Sequence, residues 1–120
     1  MCDYEIIRGF IESPRFYKRW IALGFSEEDL LELQLVLISD PKIGPVMRGT
    51  GRLRKMRYAF EDRGKSGSVR VLYVDFEEHE RIFLLNVFAK DEKENLTRDE
   101  RNKVKKALSK LETELFGEKI

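Results

Sequence analysis

This 120-residue sequence predicts an α+β domain: an antiparallel sheet of about four strands, with two N-terminal helices and one C-terminal helix, in the order β-α-α-β-β-β-α. Three observations carry that reading. Segments 52–60, 68–76 and 81–90 are rich in β-branched, aromatic and aliphatic residues and follow one another across short polar turns, the pattern of an antiparallel meander. Two helix starts are written as capping boxes, Ser26 with Asp29 and Thr97 with Glu100. Behind these starts the apolar residues recur at helical spacing.

Each element can be justified in turn. Residues 4–11 read as a first strand. Ser13 can cap the helix that Pro14 begins, and Phe16, Tyr17, Trp20 and Ile21 fall on one helical face before Gly24 ends it. Ser26 opens the second helix, with Glu27 to Asp29 at the positive end of its dipole and Phe25 and Leu30 in the two staple positions. Leu30, Leu31, Leu33, Leu35, Val36, Leu37 and Ile38 leave only a thin polar stripe through Glu28, Glu32 and Ser39, so this helix is expected to be mostly buried. Asp40-Pro41 stops it. The glycines and prolines of residues 41–51 mark a loop. A glycine-containing hairpin loop, 61–67, joins the first two meander strands, and a tight polar turn at 77–80 joins the last two. Val104, Ala107, Leu108, Leu111 and Leu115 form the stripe of the last helix, which Gly117 is placed to cap.

The length suits one domain with a modest single core. Hydrophobic and charged fractions of 42% and 38% describe a folded, water-compatible chain rather than a disordered one. No apolar run is long enough for a membrane span, and the first residues lack the pattern of a secretion signal. The single cysteine, Cys2, has no internal partner, so a reducing, cytoplasmic location is expected.

The formal charge of +1 hides a segregation. Residues 1–41 hold 4 Lys/Arg and 8 Asp/Glu, a net of −4; residues 42–74 hold 9 and 2, a net of +7; the remainder holds 10 and 12, a net of −2. A middle third this basic reads as a local anion site. Along the second strand Lys55 and Arg57 point to one face, and Arg54 and Met56 to the other. Arg70 on the next strand can join Lys55 and Arg57, and Lys90 closes the last strand. Cations converging on one face repel one another unless an anion sits between them, and arginine forks suit phosphate oxygens.

Which anion is the question that "AFEDRGKS", residues 59–66, poses, because it fits the loose form of a nucleotide-binding loop. Such a loop works by leading from a strand into a helix whose amides surround the phosphates. Here Ser68 to Val74 follow, an alternating β-branched segment, so the stretch spans a strand end and a hairpin tip. No strand outside this hairpin supplies an aspartate to hold magnesium. A nucleic-acid backbone is the better ligand.

Chemistry at such a site has few routes. The only histidine, His79, is expected in an exposed turn. No His/Cys cluster has metal-ligand spacing, no G-x-S-x-G motif is present, and carboxylates are too scarce in the basic region for a two-metal nuclease. RNA, however, carries its own nucleophile in the 2′-hydroxyl. A protein need only align it, take its proton and stabilise the charged phosphorane, with no metal or other cofactor. A lysine crowded by cations suits the base, and Lys55 is placed for that role. Arg57 and Arg70 would neutralise the phosphate, and Lys90 or Lys65 would protonate the leaving oxygen. Arg48, Arg54 and Lys65 would hold the strand, and Tyr58 or Tyr73 would stack on a base.

Three segments, Gly49-Thr50-Gly51-Arg52-Leu53-Arg54-Lys55-Met56-Arg57-Tyr58, Gly64 to Tyr73, and Phe88-Ala89-Lys90-Asp91-Glu92-Lys93-Glu94-Asn95-Leu96-Thr97, together with Phe10 to Phe16, are spread along the chain, so that a likeness carried by all four extends over nearly its whole length. The combination resembles the RelE/HigB superfamily of toxins from type II toxin–antitoxin systems, and within it the HigB-like branch. The resemblance implies a RelE-like fold of the microbial-ribonuclease type. It implies a toxin that enters the ribosomal A site, where it meets rRNA and mRNA, and cuts translated mRNA without a metal. It also implies a cognate HigA-like helix-turn-helix antitoxin, through which alone the complex would reach operator DNA. Carried over by position, Lys55 and Arg57 match the family's basic pair, Arg70 its third-strand arginine and Lys90 its last-strand cation. The chain departs from RelE in having Asp91 where RelE has an arginine and Thr97 near the place of a tyrosine. The resemblance also leaves open a ParE-like gyrase poison on the same fold, with no nuclease activity, and a further alternative is a non-catalytic RNA-binding accessory protein whose cations only hold phosphates.

Overall fold

The computed structural model describes residues 8–59, 68–89 and 96–117. Their order is β1 (Gly9–Glu12), α1 (Pro14–Ala22), α2 (Glu27–Ser39), β2 (Arg54–Tyr58), β3 (Val69–Phe76), a 3-10 turn (Glu77–His79), β4 (Arg81–Ala89) and α3 (Arg98–Phe116), the expected α+β succession. The hairpin loop with Lys65, the strand-closing Lys90, Cys2 and the first half of the expected first strand lie outside the described residues.

The helix starts are set by short side chains. Phe16 N–H donates to Ser13 Oγ (3.0 Å), whose hydroxyl in turn donates to the Leu85 carbonyl (2.7 Å), so one serine caps α1 and ties it to β4. Ser26 with Asp29, and Thr97 with Glu100, make both reciprocal bonds of a capping box.

The sheet order is β1-β4-β3-β2. The meander β2-β3-β4 is antiparallel as expected, but β1 pairs parallel to β4, Gly9 beside Arg81 and Glu12 beside Leu84, so the sheet is mixed and mostly antiparallel. The helices α1 and α2 lie between β1 and the meander in sequence, and a long crossover of this kind allows a parallel return that a tight turn forbids.

Both faces of the sheet are covered. Phe16, Trp20, Leu30, Leu33 and Leu37 of α1 and α2 pack with Met56, Val71, Tyr73, Ile82, Leu84 and Val87. On the other face Leu108 of α3 packs with Leu53, Val74, Phe76 and Phe83. The chain thus buries a cluster on each side of the sheet rather than one. Two burial expectations are corrected. Tyr17 and Ile21 are exposed while Phe16 and Trp20 are fully buried, because neighbours on a helix point about 100° apart and only one line of α1 meets the sheet. On α2, Leu31 and Leu35 are 56% and 54% exposed, because the line of Leu30, Leu33 and Leu37, with Val36 partly buried beside it, is the one that meets the core.

An ion pair closes the N-terminal side of the structure. Arg8 Nε donates to Asp75 Oδ1 (2.7 Å) with both side chains buried, and Lys42 reaches Asp75 (3.3 Å) and Glu77. The bond to Asp75 holds the Arg8 guanidinium more basic than usual against the opposing cost of its burial. Asp75, the one carboxylate at the end of a basic-region strand, is therefore a structural anchor.

Candidate nucleic-acid interface

Cross-strand register assembles the centre of the site. Arg57 on β2 lies directly opposite Arg70 on β3, and Lys55 lies opposite Leu72, so strand alternation puts Lys55, Arg57 and Arg70 on one face. Like charges set directly opposite destabilise a sheet. Here one hydroxyl organises them: Arg57 Nε donates to Ser68 Oγ (2.9 Å) and Arg70 Nη1 donates to the same oxygen (3.1 Å). Ser68 is only 7% exposed, so this acceptor is fixed. Its sequence signal is its place two residues before Arg70, which puts it on the same face of the strand.

The wall beside Lys55 is a folded-back loop. Met47 N–H donates to the Leu53 carbonyl (2.7 Å) and Lys55 N–H to the Pro45 carbonyl (3.2 Å), while Val46 forms a bridge with Arg54. A side chain at Gly44 would put its Cβ 2.9 Å from the Lys55 carbonyl oxygen, which explains the glycine. The loop, Lys55, Leu96 and Arg101 enclose a cavity of about 330 Å³. A second cavity of about 500 Å³ opens between Arg48 and Gly49 of the loop and Arg98, Arg101 and Asn102 of α3. In sequence Arg98 and Arg101 carry no signal beyond their place in the first turn of a helix; only the packing of α3 beside the loop brings them to Arg48 and Lys55.

Three residues proposed from the sequence stand elsewhere. Tyr73 is fully buried, on the opposite face, where its hydroxyl donates to the Pro41 carbonyl (2.9 Å) and accepts from Gly44 N–H (2.9 Å). It cannot stack on a base, and burial pushes its phenol above the ordinary tyrosine range. Arg54 shares that face and commits its guanidinium to the carbonyls of Gly44 (2.7 Å) and Lys42 (3.3 Å), bracing the loop rather than joining the basic group. Tyr58, also on that side by alternation, is half-buried against the first core. Lys65 and Lys90 lie outside the described residues.

His79 corrects the expectation of an exposed turn. Its ring stacks on Phe116 (centroids 4.0 Å apart, 8° between planes), and its Nε2 is 3.1 Å from Glu112 Oε2. Glu78, His79 and Glu112 offer metal-ligand atoms within 4.8 Å of one another, a grouping hidden in sequence because Glu112 is far along the chain. The Arg52 guanidinium already pairs with Glu78 (2.8 Å) and Glu112 (3.3 Å), which gives these acids an internal cation. The group sits beyond Phe76, the far end of β3 from Arg70, about 20 Å away along a strand. It fastens the end of α3 and takes no part in the basic face.

Fold and face together define a class: a small α+β domain whose sheet presents organised cations suited to a phosphate backbone. The chain belongs to the family of RelE toxins of the RelE/RelB toxin–antitoxin system, whose model matches residues 38–119. Its fold is similar to that of a doubly substituted E. coli RelE toxin in the free state, with 21% identity and a TM-score of 0.50, covering 68% of this chain and 82% of that one. No helix among the described residues is long and apolar enough to cross a membrane.

Proposed function

We propose that this toxin is a ribosome-dependent endoribonuclease of the HigB-like branch that cuts translated mRNA in the A site and so inhibits translation. The observation that supports it most is the Arg57–Ser68–Arg70 arrangement beside Lys55 in a member of the RelE toxin family. In this reading Lys55 takes the proton of the 2′-hydroxyl, whose oxygen forms a bond to phosphorus as the bond to the 5′ oxygen breaks. Arg57 and Arg70 carry the charge that builds on the phosphorane, their orientation fixed in advance by Ser68. Lys90, or Lys65, returns a proton to the leaving 5′ oxygen. The RNA supplies the nucleophile, so the route asks for no cofactor. A HigA-like helix-turn-helix antitoxin would neutralise the toxin in the cytoplasm and carry the complex to operator DNA.

Inducing the wild type and Arg70→Ala in bacteria, then mapping mRNA 5′ ends, tests this. New ends inside translated frames are expected with the wild type and at least about a hundredfold fewer with the variant, the scale of losing one transition-state charge partner. Growth arrest without such cuts would sink the nuclease reading. DNA breaks in their place would point to gyrase poisoning, and neither lesion to a binding-only protein.

A further inference from the structure

The chemistry proposed above uses Lys55, Arg57 and Arg70, and Lys55 also stands at the edge of a neighbouring region. That region is built differently. Arg48 comes from the loop, Lys55 from β2, and Arg98 and Arg101 from the first turn of α3, three separate elements. The two cavities they line share Arg48 and Arg101, so they adjoin in a cleft region with Lys55 on one side and Arg98 on the other. Neither has an acidic residue in its described lining. The acids nearest in sequence are committed: Glu100 Oε1 accepts from Thr97 N–H (2.8 Å), and Asp99 pairs with Lys103 (3.4 Å). By contrast, the cavity around Lys42, Arg52 and Arg54 is lined by Asp75, Glu77 and Glu78, which balance its charge internally.

The cleft is also held in shape. Gly49 has φ +82°, and a Cβ there would stand 3.1 Å from Arg101 Cδ, so the Arg101 stem lies directly against the loop backbone. The aliphatic stem packs on the loop while the guanidinium lines the cleft, an arrangement in which less side-chain freedom is lost on binding an anion. Lys55 lines the cleft and also shares a face with Arg57, two residues and about 7 Å further along the strand. A chain of phosphates could therefore pass from Arg57 and Arg70 over Lys55 into the cleft without leaving cationic surface.

We propose that the Arg48–Arg98–Arg101 cleft is a second phosphodiester subsite, holding the single-stranded RNA that flanks the cleaved bond. This rests on the nuclease reading for the identity of the strand; the subsite itself is defined by its own residues. The site binds backbone, so it adds affinity and register without choosing a sequence.

The test uses the full chain and fluorescent, uncleavable 2′-O-methyl RNA, one probe a dinucleotide and one a hexanucleotide, titrated by anisotropy over a range of salt. The wild type is expected to bind the hexanucleotide more tightly and with a steeper salt dependence. Arg101→Ala and Arg98→Ala should each weaken the hexanucleotide about tenfold, the worth of one charge-assisted hydrogen bond, and leave the dinucleotide unchanged. The salt slope should fall by about 0.7 for each phosphate that the variant no longer neutralises. Circular dichroism checks folding, and Arg101→Lys, which keeps the charge, should recover part of the slope. Hexanucleotide binding and slope unchanged in both alanine variants would overturn the subsite. So would RNA binding indifferent to these residues alongside Arg101-dependent binding of a decaglutamate peptide, which would assign the cleft to an acidic protein segment. The two readings fail separately. An Arg101-dependent slope in a toxin that makes no mRNA cuts leaves the subsite standing without the nuclease, and cuts with an unchanged slope do the reverse.

Discussion

Two guanidinium groups on one serine oxygen make Ser68 the residue on which the basic face turns. Replacing it with alanine removes the shared acceptor while keeping the backbone and both charges. Ser68→Ala is expected to lower the yield of mRNA cuts about tenfold, with an unfolding free energy within about 1 kcal/mol of the wild type. A loss of cutting that merely tracks a loss of folded protein would show that Ser68 is only structural. Tyr73 makes the opposite kind of prediction. Burial raises its pKa above that of an unfolded tyrosine, with Asp75 and Asp40 adding to the shift and Arg54 and the Gly44 amide opposing it. Between the two pKa values the folded chain holds a proton that the unfolded chain has lost, so stability falls as pH rises past about 10. Lys42, raised by Glu77 and Asp75, loses stabilisation in the same alkaline window. Tyr73→Phe should cost about 1–3 kcal/mol near neutral pH, because Gly44 N–H and the Pro41 carbonyl lose their partner, and should flatten the alkaline fall to the part owed to Lys42 and to Tyr17, whose phenol is raised by its hydrogen bond to Glu27. Urea midpoints from about pH 8 to 11, a range spanning the ordinary tyrosine and lysine values, measure both effects. At this scale alternation along the strand is enough to place Lys55 with Arg57. It also puts Arg54 on the opposite side, yet charge alone does not say that its guanidinium is taken up by loop carbonyls. The fate of Tyr73 depends on a loop fold at which only Gly44 hints.

Among elements, helix starts are the most legible, because a cap is a local bond between residues three apart and needs no tertiary partner. Ser13, Ser26 and Thr97 all cap as their sequence suggests. Thr97→Ala is expected to destabilise the protein by about 1 kcal/mol in urea unfolding. A Thr97→Ala/Glu100→Ala double variant should lose less than the sum of the single losses, since both side chains serve one turn. Strictly additive losses would show that the box does not act as a unit. The outer face of α2 is the least legible, since an almost unbroken aliphatic run from Leu30 to Ile38 says that a helix is apolar without saying which line meets the core. The role of α3 as a wall of the basic cleft is equally hidden. Arg98 and Arg101 carry an ordinary helix-surface pattern, and only the approach of Gly49 makes them part of a site.

For the molecule as a whole, the segregation of charge is written in the linear order of the residues, and the middle third that carries the excess of cations supplies the loop, β2 and the start of β3. What composition does not supply is the division of those cations. Arg52 and Lys42 are engaged by Glu78, Glu112, Asp75 and Glu77, and Arg54 by loop carbonyls, while Lys55, Arg57 and Arg70 gather on one face, with Ser68 between the two arginines. The direction of β1 is also beyond the reach of the sequence, because a strand's pattern says which face is buried and not which way the strand runs.

The parallel pairing of β1 has a consequence for the order in which the chain assembles. Ser13 and Leu85, and Arg8 and Asp75, meet across 72 and 67 residues, whereas Arg57 and Ser68 meet across 11. Closing the longer loops costs more chain entropy, and the β4 edge that receives β1 must exist before β1 can dock. The hairpin bearing the basic face can close locally, while the first strand to leave the ribosome has no edge to pair with until Arg81–Ala89 has followed it. The N-terminal segment is therefore a late clasp on a sheet whose cationic part can already have formed.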